Sequence, residues 1–114
     1  VKFDLITPCK DCPFRTDVAP YLTAERVYEI GDACERRQET FACHKTVEYD
    51  DEGEPVRTQK EQHCAGALIM LERLETPNQM MRIAERFGAY DRTKLRMDAP
   101  VFEDFEEMAE AQPR

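Results

Sequence analysis

In Cys9-Lys10-Asp11-Cys12-Pro13 two thiols sit three positions apart, so a single turn can aim both sulfurs at one point. Cys43, in Phe-Ala-Cys-His, and Cys64, in His-Cys-Ala-Gly, complete the pattern C-x2-C-x30-C-x20-C. Four thiols are the donor count of a four-thiolate centre, holding either zinc or an iron–sulfur cluster. The fifth cysteine, Cys34, falls inside a helical pattern and reads as a small core residue.

The choice of metal turns on how the thiols are distributed. Structural zinc sites often combine two local pairs, each in its own turn, and this chain has one such pair. Cys43 and Cys64 are single cysteines on separate elements, which suits a larger cubane. Small residues at Ala65 and Gly66 would let the backbone approach a bulky cluster. A 4Fe-4S cluster on Cys9, Cys12, Cys43 and Cys64 is the favoured cofactor, and one zinc ion is the alternative. Both histidines adjoin a cysteine, so His44 or His63 is an alternate ligand. A set such as Cys9, Cys12, His44 and Cys64 would favour zinc. Otherwise the two rings serve as donors behind the ligands or as helix caps.

Other thiol chemistry fits less well. A Cys-x2-Cys redox pair wants a helix starting at its first cysteine, and Pro13 removes a backbone donor too early for one. Cys43-His44 as nucleophile and base would need adjacent side chains to face each other, and no third group is evident. No catalytic residue is assigned, and enzyme activity is the less favoured class. The chain reads as a metal-binding interaction or regulatory module acting through a protein partner. The alternatives are a redox-sensing or electron-transfer iron–sulfur protein, or a structural zinc domain with weak nucleic-acid contact.

The elements that must position these groups are mostly helical. Val1 to Ile6 reads as a short strand or arm. Thr23 caps a helix from Ala24 to about Gln38, with Val27, Ile30 and Cys34 on its inner face. Thr46 to Tyr49 and Pro55 to Thr58 flank the acidic turn Asp50 to Glu54, which predicts a hairpin. Cys64 opens the most apolar helix, to Leu74. Thr76 caps the next, with Pro77 at its first position, an apolar face of Met80, Ile83, Ala84 and Phe87, and Gly88 at its end. Met80 is expected in the core and Met81 at its flank. Asp98 caps a last helix, about Ala99 to Gln112, faced with acids. The fold class is therefore mostly α with a small β-hairpin. Residues 1–114 form a single small domain organised around a metal or iron–sulfur centre.

A net charge of −8, from 24 acids against 16 bases, disfavours a broad grip on nucleic acid. A local contact through Arg26, Arg36 and Arg37 is the subsidiary possibility. No apolar run is long enough for a membrane span and no secretory signal is seen, so a cytoplasmic location with reduced thiols is expected. The acidic last helix is the segment expected to face a basic partner surface.

Cys-x2-Cys-Pro, then Phe-x-Cys-His, then Cys-Ala-Gly-Ala resembles the pattern of an uncharacterised family of small cysteine-motif proteins of bacteria and their phages. The resemblance covers about Cys9 to Leu71, leaves the acidic helix outside, and places Cys9, Cys12, Cys43, His44 and Cys64 at motif positions. It implies no particular activity. The chain departs from the small iron–sulfur regulators of actinobacteria, which cluster three cysteines closely, and this weakens any transfer of a transcriptional role.

Overall fold

The computed structural model describes residues 2–56, 58 and 60–113. It shows a small, mostly helical domain with one two-stranded antiparallel hairpin. Helix α1, Ala24–Glu35, starts where the Thr23 hydroxyl accepts the Arg26 N–H, as its sequence predicts. It stops short of Gln38, which at φ +59° sits in the left-handed region that no helix interior accommodates. Val27, Ile30, Gly31 and Cys34 form its buried side.

The hairpin is shorter than its sequence suggests. Strands β1, Glu48–Tyr49, and β2, Pro55–Val56, pair Glu48 with Val56 and Tyr49 with Pro55. The Asp50 carboxylate accepts the Glu52 and Glu54 amides and so sets the turn. Arg57, within the expected second strand, and Val1, within the expected N-terminal arm, lie outside the described residues. Of that arm, Lys2 bridges Gln62 in parallel and Phe3 enters the core.

Helix α2, Ala65–Arg73, is buried over seven consecutive residues, Ala65 to Leu71. Apolar side chains all round a helix require neighbours all round it. Burying Leu68, Ile69 and Leu71 is worth about 1.5–3 kcal/mol each. From the far end of α2 the Glu72 carboxylate receives both Arg82 guanidinium N–H groups and the Tyr90 hydroxyl. That fastens α2 to helix α3, Gln79–Arg86.

Two expectations for α3 are corrected. Asn78, not Thr76, is its cap: the Asn78 carbonyl oxygen accepts the Met81 N–H, and the Asn78 N–H donates to the Met81 sulfur. The inward face is Met81 and Ala84, while Met80, Ile83 and Phe87 are exposed. The segment carries two overlapping apolar sets, and the side fixed by the Asn78 cap and the Glu72–Arg82 pair decides which set is buried.

The last helix is corrected too. Helix α4 spans Phe105–Glu110 and its cap is Asp104, whose carboxylate accepts the Glu107 N–H. It cannot begin near Ala99, because the carbonyls of Met97, Ala99 and Val101 are taken by the Arg73 guanidinium. Val101 also bridges Arg15, and the Phe102 N–H donates to the Phe14 carbonyl. Helix α4 packs against α1, with the Phe105 ring so close to Gly31 that a Cβ there would lie 3.0 Å from it. Gln112 ties the chain end back, receiving the Leu22 N–H and donating to the Met108 carbonyl.

Candidate metal centre

The first cysteine pair lies in two consecutive turns. The Cys12 N–H donates to the Cys9 carbonyl and the Arg15 N–H to the Cys12 carbonyl, each at 3.1 Å. This turns the Asp11 amide toward the Cys9 sulfur and the Phe14 amide toward the Cys12 sulfur. Pro13 carries no N–H, so Phe14 supplies the first donor after Cys12.

The other two cysteines are brought together by backbone pairing. Ala42 and His63 form an antiparallel bridge, with the Cys43 N–H on the Gln62 carbonyl and the Cys64 N–H on the Phe41 carbonyl, both 2.7 Å. Cys64 is the N-cap residue of α2, and its sulfur stands 3.5 Å from that of Cys12, both buried. The Gly66 amide also faces the Cys12 sulfur. A Cβ on Gly66 would sit 2.7 Å from the Cys12 Sγ and 2.7 Å from the Phe14 Cβ, so only glycine allows this approach.

Cys9 is half-buried, and its sulfur lies 3.2 Å from Nε2 of His44, which is exposed. Cys43 is buried and near enough for its charge to act on Cys9 and Cys64. Thus the four expected cysteines share one locality, arranged as a Cys12–Cys64 contact and a Cys9–His44 contact with Cys43 beside them. Among the described residues, no three His, Cys, Asp or Glu side chains are already set around a point in a geometry that could hold a metal ion. All five cysteines are free thiols.

The thiols are not equivalent electrostatically. The Cys12 thiol is held below its ordinary value by the hydrogen bond from Cys64, against the effect of burial, with help from the Phe14 and Gly66 amides. Cys64 is driven up by the same contact and by burial. In this contact the Cys64 S–H is the donor and the Cys12 sulfur the acceptor. Burial first, then the charges of Cys43 and Cys12, push Cys9 up to about 11, with the Asp11 amide opposing. Cys34 stands apart on α1, pushed up to about 12 by burial and by Glu35 and Glu39. It is the inert core thiol its sequence position predicts.

His63 and His44 part company. His63 is fully buried and stacked on Phe3. Its Nε2 faces the Phe41 N–H at 3.4 Å and the Asn78 side-chain amide N–H at 3.3 Å, both donors, so Nδ1 carries the proton and donates to the Cys64 carbonyl at 3.1 Å. Burial lowers its pKa to about 4. Both ring nitrogens are engaged away from the sulfurs, and the ring braces the backbone at Cys64. Asn78, the partner that orients it, gives no sign of this role in the sequence, where it reads as an ordinary residue of a helix start.

The order of cysteines, the turn geometry and the helix at Cys64 now stand together. The chain belongs to DUF6283, a family of unknown function. The DUF6283 match covers residues 5–114, so it takes in α4 as well as the thiol region, where the cysteine pattern alone marks only Cys9 to Leu71. No curated protein and no solved structure matches the chain. No helix among the described residues is long and apolar enough to cross a membrane.

Proposed function

We propose that the DUF6283 domain described here is a metal-stabilised interaction module, with its ion held among Cys9, Cys12, Cys43 and Cys64 and with His44 as the alternate fourth donor. The observation that carries this is the buried Cys12–Cys64 contact at 3.5 Å, with backbone amides already aimed at the Cys12 sulfur. Neutral thiols bury readily, but thiolates held this closely need a cation to offset their charge. Amides directed at sulfur then stabilise the thiolates.

The spacing supports zinc over the cubane that the cysteine distribution alone favours. With zinc–sulfur bonds of about 2.3 Å, sulfurs on a tetrahedron lie about 3.8 Å apart. The Cys12–Cys64 distance is close to that edge. A cubane binds each thiolate to a different iron and holds the sulfurs farther apart. Such an ion ties together three segments, around residues 9–12, 43 and 64, and adds that cross-link to the stability of a small core. The exposed acids of α4, Glu106, Glu107 and Glu110, suit a basic surface on a protein partner.

The test is metal analysis of the purified protein and its single Cys→Ser variants. One zinc per chain is expected, lost in Cys12→Ser and Cys64→Ser together with much of the thermal stability, and kept in Cys34→Ser. His44→Ala separates the fourth donor: full occupancy leaves the position to Cys43, and loss assigns it to His44. Iron and sulfide with a brown colour would replace zinc by the cluster. Wild-type metal content in Cys64→Ser would overturn the ligand set.

A further inference from the structure

The apolar side of α3 that the fold leaves outside forms a stripe. Met80, Ile83 and Phe87, at helical spacings of three and four, are 41%, 37% and 81% exposed. Gly88, at φ +76°, ends the helical path directly after Phe87, whose ring stands mostly in solvent. Beside the stripe lies a hollow of about 440 Å³, lined by Phe3, Met80, Ile83, Ala84 and Ala89 as well as Phe87 itself. A second hollow of about 230 Å³ adjoins it across Phe3, Gly88 and Ala89, with half-exposed Ile6 at its edge. One patch therefore holds both a projecting aromatic ring and an apolar recess.

We infer that this face is the contact between two copies of the chain, related by a two-fold axis that seats each Phe87 in the recess of the other copy. Two features of the patch select a second copy as the occupant. The first is shape. A two-fold interface uses the same surface twice, so it needs a knob and a matching hole on one patch, and Phe87 and its neighbouring recess provide both. The second is charge. Two chains of net charge −8 repel, so they can meet only where the local charge is balanced. The hollows are rimmed by Lys2 and Lys94 on one side of the balance and Asp4 and Asp91 on the other, all exposed. A two-fold axis can set a base of one copy against an acid of the other. A basic partner would gain little on such a rim and would find better sites at the Asp50 to Glu54 turn or on α4.

Sedimentation velocity of the intact, metal-replete protein over a range of concentrations tests this. A concentration-dependent monomer–dimer equilibrium is expected. Phe87→Asp should weaken dimerisation at least about a hundredfold, as a central aromatic anchor does. Met80→Gln should weaken it less. Tyr49→Asp, at another exposed aromatic on the hairpin, should leave it unchanged. Phe87 is solvent-exposed, so its variant should keep the wild-type circular dichroism, and Met80→Gln gives an independent reading should it not. A protein that stays monomeric to about 1 mM would overturn the inference and leave the patch to a foreign partner. A dimer unaffected by both Phe87→Asp and Met80→Gln would overturn it too, by placing the contact elsewhere.

Discussion

Gly66→Ala is a one-methyl test of how the thiol pair is built. Gly66 lies in the first turn of α2, where alanine ordinarily gains up to about 1 kcal/mol over glycine. Here the new Cβ would fall 2.7 Å from the Cys12 sulfur and 2.7 Å from the Cβ of Phe14. Ordinary contacts between such atoms are about 3.5–4.0 Å, so roughly 1 Å of overlap must be relieved at two points. Neither neighbour can yield cheaply. Cys12 is 1% exposed, and Phe14 is fully buried with its ring set against Phe41 and Phe105. Overpacking of this kind costs about 1–3 kcal/mol, and two contacts against a filled core put it near the upper end. Net of the helix gain, a loss of about 1–2 kcal/mol is expected, or a fall in melting temperature of about 4–8 °C. The displacement also moves the Cys12 sulfur from Cys64 and from the Gly66 amide, so metal affinity should drop along with stability. Calorimetry and a chelator competition on the same preparation measure both. A variant as stable as wild type, with undiminished metal affinity, would refute the claim that glycine is required by the sulfur contact.

His63→Ala should cost about 2–4 kcal/mol in chemical denaturation, because it leaves the Asn78 amide and the Phe41 N–H unpaired in the core; metal bound per folded chain should stay at the wild-type value, since both ring nitrogens are engaged away from the sulfurs. Burial pushes the Glu72 carboxyl up, but the Arg82 and Tyr90 hydrogen bonds outweigh it and hold the group below its ordinary 4.5. The stability it contributes is therefore fully present above pH 4.5 and is lost as pH falls through the lower folded-state value. Glu72→Gln should cost about 1–3 kcal/mol at pH 7 and flatten the acid limb of a melting-temperature profile. Glu106→Lys with Glu110→Lys should shift stability by less than about 0.5 kcal/mol, since the loss at the start of α4 and the gain at its end offset each other in the helix dipole, as thermal melts of the two single variants would show.

Sequence pattern reached the helices through local chemistry. Thr23 ahead of the Val27, Ile30 and Cys34 face, and the continuous apolar run after Cys64, each specify an element without reference to the rest of the chain. Residue type and spacing singled out Cys9, Cys12, Cys43 and Cys64, of which the fold sets Cys12 against Cys64 and Cys9 against His44. Sequence pattern failed where a distant residue decides. The orientation of α3 depends on Glu72 reaching Arg82, and the start of α4 depends on Arg73 taking the carbonyls of 97–101. Both are side-chain contacts across separate elements that no periodicity encodes. The different roles of His44 and His63 were equally hidden, because both adjoin a cysteine and only the fold gives one of them Asn78 as a partner.

The strand-like contact of residues 14–15 with 101–102, and the seating of Phe105 on Gly31, join the two ends of the chain. This has a consequence for synthesis. A ribosome adds about 5–20 residues per second, so for several seconds the segment carrying Cys9 and Cys12 exists without the residues that will cover Phe14. Cys64 arrives before that cover does. Through this interval Phe14 lacks its contacts with Phe102 and Phe105. The segment from Val101 to Phe105 is thus a late-arriving cover for Phe14, although Phe14 stands two residues from Cys12 in the first thiol turn.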